Sequence, residues 1–299
     1  MNSEKNNILK RLKRDNVALL LIAPAIICTY FFTIRPQITG MIWSFFEMNG
    51  YTAGKFAGLA NYKRVIHDTM FATTLMNTFK YVFWSLIIGY LLPLIIAILL
   101  NETVHFRKSF RFWVYFPSIL PAASIFMLWN FIYYPDAGGL LNMARSFFGL
   151  APYGWLQDSS KTIIYIVITM TWSGAGATAL YYFASLQGVS RELYEAALID
   201  GAGFFKRLRH VTLPHISGIA LLFLVRQIIG VFSVMEQPLQ MTDGGPNGAS
   251  MTLGLLAYRY GFVYIKPALA MSVGVIMFVI LILATFFYYR LSNKIESNY

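Results

Sequence analysis

Five stretches of this sequence run without a charge for about the length a helix needs to cross the hydrocarbon of a bilayer: Val17–Ile34, Tyr81–Asn101, Phe112–Pro135, Thr162–Ser190 and Pro267–Tyr289. A sixth, Ile216–Met235, carries one interruption, Arg226. Charges in hydrocarbon are costly, so runs of this length constrain the chain more than any other feature. Lipid offers no partner to a bare backbone, so each run must close its own hydrogen bonds as a helix. The sequence therefore predicts an all-α integral membrane protein with six transmembrane helices. Composition agrees. Of 299 residues, 57% are hydrophobic and 12% charged, about half the roughly 25% charge of a soluble domain. One cysteine, Cys28, excludes a disulfide scaffold.

The distribution of Lys and Arg orients the bundle. With the N-terminus inside, the cytoplasmic segments hold fourteen of the 24: five from Lys5 to Arg14, then Arg107, Lys108 and Arg111, then Arg191, Lys206, Arg207 and Arg209, then Arg290 and Lys294. Eight fall on the other side, in longer loops. The positive-inside rule then places both termini in the cytoplasm. The expected organisation is a basic cytoplasmic arm at 1–16 and one transmembrane domain at 17–299. External loops are expected near 36–77, 136–161 and 236–266, with a long cytoplasmic loop at 186–215. The net charge of +11 is assigned to lipid headgroups, with no nucleic-acid partner.

That cytoplasmic loop is the most informative stretch. Ser190 suits a helix N-cap, and Glu192 sits in the first turn, where the helix dipole favours an anion. Leu193, Ala196, Ala197 and Asp200 lie three or four apart and give a small face. Gly201 suits a left-handed C-cap. A second short helix is expected near Phe204, and Pro214 marks entry to the fifth span. A small-faced helix of this kind can enter a groove in another protein or rest on a lipid surface, and the residues alone leave both open.

Glu195-Ala196-Ala197, Asp200-Gly201-Ala202 and Leu213-Pro214 together resemble the EAA loop of permease subunits in binding-protein-dependent ABC importers. Other segments resemble the carbohydrate-uptake branch of that family: Phe56–Tyr62, Asn77-Thr78, Phe116-Pro117 and Thr242–Pro246. The last is similar to the larger maltose-type permease, without that subunit's extra N-terminal helices and external insertion. The resemblance implies the type I ABC importer permease fold and a place in a bacterial cytoplasmic membrane. It implies a coupling helix that docks on an ATPase, using Glu192, Glu195, Ala196, Ala197, Asp200, Gly201 and Ala202. Its implied partners are a second, distinct permease, two copies of a cytoplasmic ATPase that hold the ATP and magnesium, and an extracytoplasmic solute-binding protein. The chain itself would need no cofactor and catalyse nothing.

Nothing in the sequence resembles a phosphate-binding Gly-x-x-x-x-Gly-Lys-Ser/Thr loop, so ATP hydrolysis is left to another subunit. His67, His105, His210 and His215 are scattered, and no carboxylates pair within a span. Both facts count against a metal site and a proton-driven carrier. A secondary carrier or a non-transporting scaffold remains the alternative, and only the EAA pattern argues against it. By position, the resemblance puts Met170, Ser173, Gly174, Ala177, Gln227 and Val231 on the substrate pathway. Small residues at this density also serve close helix packing. Arg226 is a site candidate on charge alone: it either pairs within the bundle or faces the pathway.

Overall fold

The computed structural model describes residues 16–102 and 107–296. The basic arm, apart from Asn16, and His105 lie outside the described residues. Helix α1 runs Asn16–Thr29 and continues through a π-turn at Tyr30–Ile34 into Arg35–Trp43. A hairpin follows, β1 (Phe46–Asn49) and β2 (Thr52–Phe56), antiparallel with Phe46 opposite Phe56 and Asn49 opposite Thr52. Then come α2 (Ala60–Ile66), α3 (Phe71–Glu102), α4 (Arg107–Tyr115), α5 (Ala122–Ile132), α6 (Leu140–Ser146) and α7 (Thr162–Leu186). The chain ends with α8 (Arg191–Ile199), α9 (Phe204–Phe232), α10 (Glu236–Thr242), α11 (Leu253–Tyr258) and α12 (Pro267–Glu296).

Among the described residues, five helices are long and apolar enough to cross a membrane, and α4 with α5 makes a sixth if the bent pair is one span. The third expected span, Phe112–Pro135, is thus not a continuous helix. It stops at Tyr115, passes through a 3-10 turn at Phe116–Ile119, and resumes at Ala122 with a bend of 99°. Pro117 and Pro121 are the physical cause. Neither has an N–H to donate, and Leu120, held extended by the following proline, cannot continue the helix.

Elsewhere prolines bend the ladder without breaking it. The π-turns at Tyr30–Ile34, Ser85–Tyr90 and Leu208–Thr212 each end two or three residues before Pro36, Pro93 or Pro214. A proline inside a helix frees a carbonyl one turn back, and a π-turn re-registers the ladder around it.

The expected loops shrink accordingly. The segment expected as the first external loop is helical at both ends, to Trp43 and from Phe71, rather than open over 36–77. The segment expected at 186–215 is helical from Phe204, so Pro214 lies inside α9 and does not begin it. At about 1.5 Å per residue, the 29 residues of α9 reach about 44 Å. That exceeds the roughly 30 Å of hydrocarbon, so the basic turns at Lys206–Arg209 extend past the apolar run.

Helix α7 is the hub. Ile163, Ile166 and Val167 pack against Tyr81 of α3, Phe126 of α5 and Val231 of α9. Tyr182, Phe183 and Leu186 pack against Ala97 and Leu100 of α3 and Ile216 and Phe223 of α9. A third cluster joins α12, through Val273 and Met277, to Val65, Phe71, Leu253 and Leu256. By contrast the long apolar window of α1 is unburied, with Leu20 and Leu21 each 75% exposed, as expected of a surface made for lipid or another subunit.

Several residues that carried the resemblance prove to be staples between segments distant in sequence. Asn61 Nδ2 donates to the carbonyls of Ser44 and Phe46, both at 2.9 Å, tying α2 to the hairpin. Asn77 Nδ2 donates to the Gly248 carbonyl at 2.8 Å, and Thr78 Oγ1 accepts from the Leu253 amide at 3.0 Å. Thr242 and Ser250 share a hydroxyl bond of 2.7 Å, and Ser250 Oγ donates to the Gly245 carbonyl at 2.7 Å.

Asn142 does the same for the segment before α7. It is 1% exposed; its amide nitrogen lies 2.9 Å from the Pro135 carbonyl and 3.0 Å from that of Tyr134, and its Oδ1 accepts from the Tyr153 amide at 2.9 Å and from Trp155 Nε1 at 3.2 Å. Asp158 then leads into α7. Ser160 donates to it from both hydroxyl and amide, and Tyr153 from its phenol, which together hold the Asp158 carboxyl at about 2. Removing a partner from a buried polar group costs about 1–3 kcal/mol for each group left bare. Asn142→Ala is therefore expected to lose about 3 kcal/mol or more of stability. A thermal unfolding midpoint in detergent equal to wild type would show that this segment does not depend on Asn142.

Candidate functional site: an exposed helix and a membrane cavity

The short helix α8 is built as its sequence suggests. Ser190 Oγ accepts from the Glu192 amide at 3.2 Å, which caps the first turn. At the other end the Gly201 amide donates to the Leu198 carbonyl at 3.0 Å, and the Ala202 amide to that of Ala197 at 2.8 Å. These are the paired bonds of a Schellman motif, and they require the left-handed φ of +70° that Gly201 adopts. Among the described residues the helix is then held at one edge. Tyr194 and Thr212 share a hydroxyl bond of 3.1 Å, and Arg207 pairs with Glu102 at 3.5 Å beside it.

No residue of α8 is buried. Ile199 is 87% exposed and Phe205, just beyond, 80%, while Leu193 and Leu198 are also exposed. The carboxylates of Glu192, Glu195 and Asp200 make no hydrogen bond or ion pair among the described residues. An exposed helix with an apolar flank, small residues at Ala196 and Ala197, and unengaged acids is unfinished as part of this chain. All seven expected coupling residues lie in this one unit.

Within the bundle lies a cavity of about 470 Å³ between α3, α7 and α9, closed at one side by the break between α4 and α5. Six of the seven residues expected on a pathway line it: Met170, Ser173, Gly174, Ala177, Arg226 and Gln227. The seventh, Val231, does not. It is 5% exposed and packs with Tyr81, Ile166 and Val167. Val231 sits one turn past Gln227 and faces the core that α3 and α7 make with α9.

Sequence reasoning missed other lining residues. Ser118, from the break, accepts from the Ala177 amide at 3.3 Å and donates to the Ser173 carbonyl at 2.7 Å, latching the 3-10 turn onto α7. The flanking Pro117 and Pro121 were the available signal, since a proline-broken span opens backbone to a cavity. Gly89 of α3 leaves room for polar side chains from both other helices: a Cβ there would stand 2.8 Å from Gln227 Nε2 and 3.1 Å from Thr171 Oγ1, and the Gln227 side chain would have to shift. Arg226 is exposed to the cavity and makes no hydrogen bond or ion pair among the described residues. Of the two roles open to it, pairing within this chain is the one the structure does not provide.

Residues 89–297 match the family described as binding-protein-dependent transport system inner membrane component. The arabinooligosaccharides transport system permease protein AraP of Bacillus subtilis is 29% identical over 281 residues, covering 93% of this chain and 89% of its own. The trehalose/maltose transport system permease protein MalF of Thermococcus litoralis is 31% identical over 259 residues, covering 85% and 87%. In fold, the chain superposes with a TM-score of 0.85 on a bacterial alginate ABC transporter, solved in complex with an alginate pentasaccharide-bound periplasmic protein, at 22% identity and covering 96% of this chain and 97% of that one. With an exposed helix of EAA pattern at one edge of a helical bundle and a cavity within it, this chain belongs to the family of binding-protein-dependent transport system inner membrane components and is the permease subunit of an ABC importer.

Proposed function

We propose that the chain carries a sugar, oligosaccharide or sugar derivative across the bacterial cytoplasmic membrane as one half of a permease pair. It crosses six times, with α4 and α5 together as the third span and both termini in the cytoplasm, as the Lys and Arg distribution favours. A second, distinct permease completes the pathway, an extracytoplasmic binding protein delivers solute, and two ATPase subunits hold ATP and magnesium. In this reading α8 seats in a cleft of one ATPase. Glu195 makes a charged contact there, Ala196 and Ala197 allow close approach, and the Gly201 turn sets the angle. A helix that touched the ATPase equally in both of its states would shift no equilibrium, so the contacts must change as ATP closes the ATPase pair. The Tyr194–Thr212 and Arg207–Glu102 links then carry that motion to α9 and α3, which line the cavity.

The observation that supports this most is α8 itself: capped at both ends, unburied, and attached at one edge to the helices that wall the cavity. The test is purification from the native host. A second permease, an ATPase and a binding protein are expected to accompany the chain, and saccharide is expected to stimulate ATP hydrolysis by the assembly in proteoliposomes. Solute uptake by vesicles holding this chain alone, without ATP, would instead make it a secondary carrier.

A further inference from the structure

We infer that the solute received by the α3–α7–α9 cavity is anionic, a saccharide or sugar derivative whose carboxylate or phosphate pairs with Arg226. This rests on the importer reading above and adds to it the charge of the cargo. Arg226 is the one charged side chain among the described lining residues; the rest are hydroxyls, amides, aromatic rings and small or apolar groups. Every element around the cavity contributes to that lining, and none brings an acid. Helix α3 offers Ser85 and Tyr90, the break between α4 and α5 offers Ser118, α7 offers Thr171, Ser173 and Thr178, and α10 offers Gln237. The acidic residue beside that last position, Glu236, does not reach the cavity wall.

A guanidinium stays protonated at any physiological pH, so Arg226 cannot shed its charge to suit an apolar setting. Set in the membrane part of α9 and unpaired among the described residues, it leaves a positive charge on the cavity wall. A neutral sugar hydroxyl can accept one of its hydrogen bonds and leaves the charge uncompensated. A carboxylate or phosphate accepts two in parallel and neutralises it. Gln227 and Ser173, on the same walls, supply polar contacts for neutral hydroxyls of the same solute. The cavity thus holds one ionic anchor among groups suited to hydroxyls.

The experiment uses the assembled transporter with its own binding protein in proteoliposomes. Stimulation of ATP hydrolysis is read against three sets of probes: neutral maltooligosaccharides, oligogalacturonates as carboxylates, and glucose phosphates. Stimulation by oligogalacturonates or by glucose phosphates is expected, and which of the two responds distinguishes the anion's source. Arg226→Gln is expected to weaken that stimulation about tenfold or more, and Arg226→Lys, which keeps the charge but not the two parallel bonds, to restore part of it. Stimulation by maltooligosaccharides alone overturns the inference and leaves the importer reading standing. So does undiminished anion response in Arg226→Gln. If Arg226→Gln fails to co-purify with the second permease while Arg226→Lys assembles, Arg226 is an ion pair between subunits and the inference is again overturned. Silence from all three sets in an assembled complex removes the saccharide reading itself, and the inference with it.

Discussion

Replacing Gly201 by valine is expected to cut ATP-driven uptake about tenfold or more, while the chain still inserts in the membrane. Nothing lies within 4 Å of where a Cβ at Gly201 would stand, so crowding is not the cause. The cause is the backbone. At φ +70° an L-residue loses about 1–2 kcal/mol, and a β-branched one fits that region worst. The strain is relieved by leaving the left-handed region, which breaks the bonds from Gly201 to Leu198 and from Ala202 to Ala197. Helix α8 would then stand at another angle to the turn, and in the proposed coupling role Glu195 would meet the ATPase wrongly aimed. Asparagine tolerates the left-handed region, so Gly201→Asn is expected to keep most of the uptake. Uptake and ATPase co-purification together make the check. Wild-type values of both in Gly201→Val would mean that this turn does not orient the coupling helix.

Gly176→Val should have the largest effect on folding. A Cβ at Gly176 would fall 2.0 Å from the Val114 carbonyl oxygen and 3.0 Å from Tyr115 Cα, both backbone atoms. A side chain could swing aside; a backbone carbonyl moves only with its helix. Helix α4 would have to leave α7, taking with it the 3-10 turn and the Ser118 latch. The cost is expected at or above the upper end of the roughly 1–3 kcal/mol usual for overpacking. Size-exclusion profiles and thermal midpoints in detergent measure it, with little or no monodisperse protein expected. Gly174→Ala is the comparison, because nothing lies within 4 Å of a Cβ at that position. Equal midpoints for Gly176→Val and wild type would show that α4 and α7 are not in backbone contact.

These two glycines stand two residues apart in Met170–Ala177, a stretch whose sequence admits both a packing role and a pathway role. The structure separates the residues by face. Met170, Ser173, Gly174 and Ala177 turn to the cavity, and Gly176 turns to α4. No count of small residues could have assigned them, since both uses need the same residue types.

What the sequence determined was whatever local chemistry decides. Uncharged runs of span length required helices in lipid, since backbone groups there have no other partner. Ser190, Glu192 and Gly201 delimited α8 because a cap is satisfied within a few residues of itself. What only the tertiary structure decided was everything that depends on a neighbour distant in sequence. Prolines that look alike had different outcomes: Pro93 lies in a helix that continues through a π-turn, while Pro117 and Pro121 break theirs at the turn that carries Ser118 to the cavity wall. Val231, which the resemblance places on the pathway, packs in the core where α3 and α7 converge. Arg226 signalled a site by charge alone, but that it would meet no acid among the described residues depended on what four other segments placed around it. Burial and pairing are properties of the assembled helices, and a side chain's own neighbours in sequence do not carry that information.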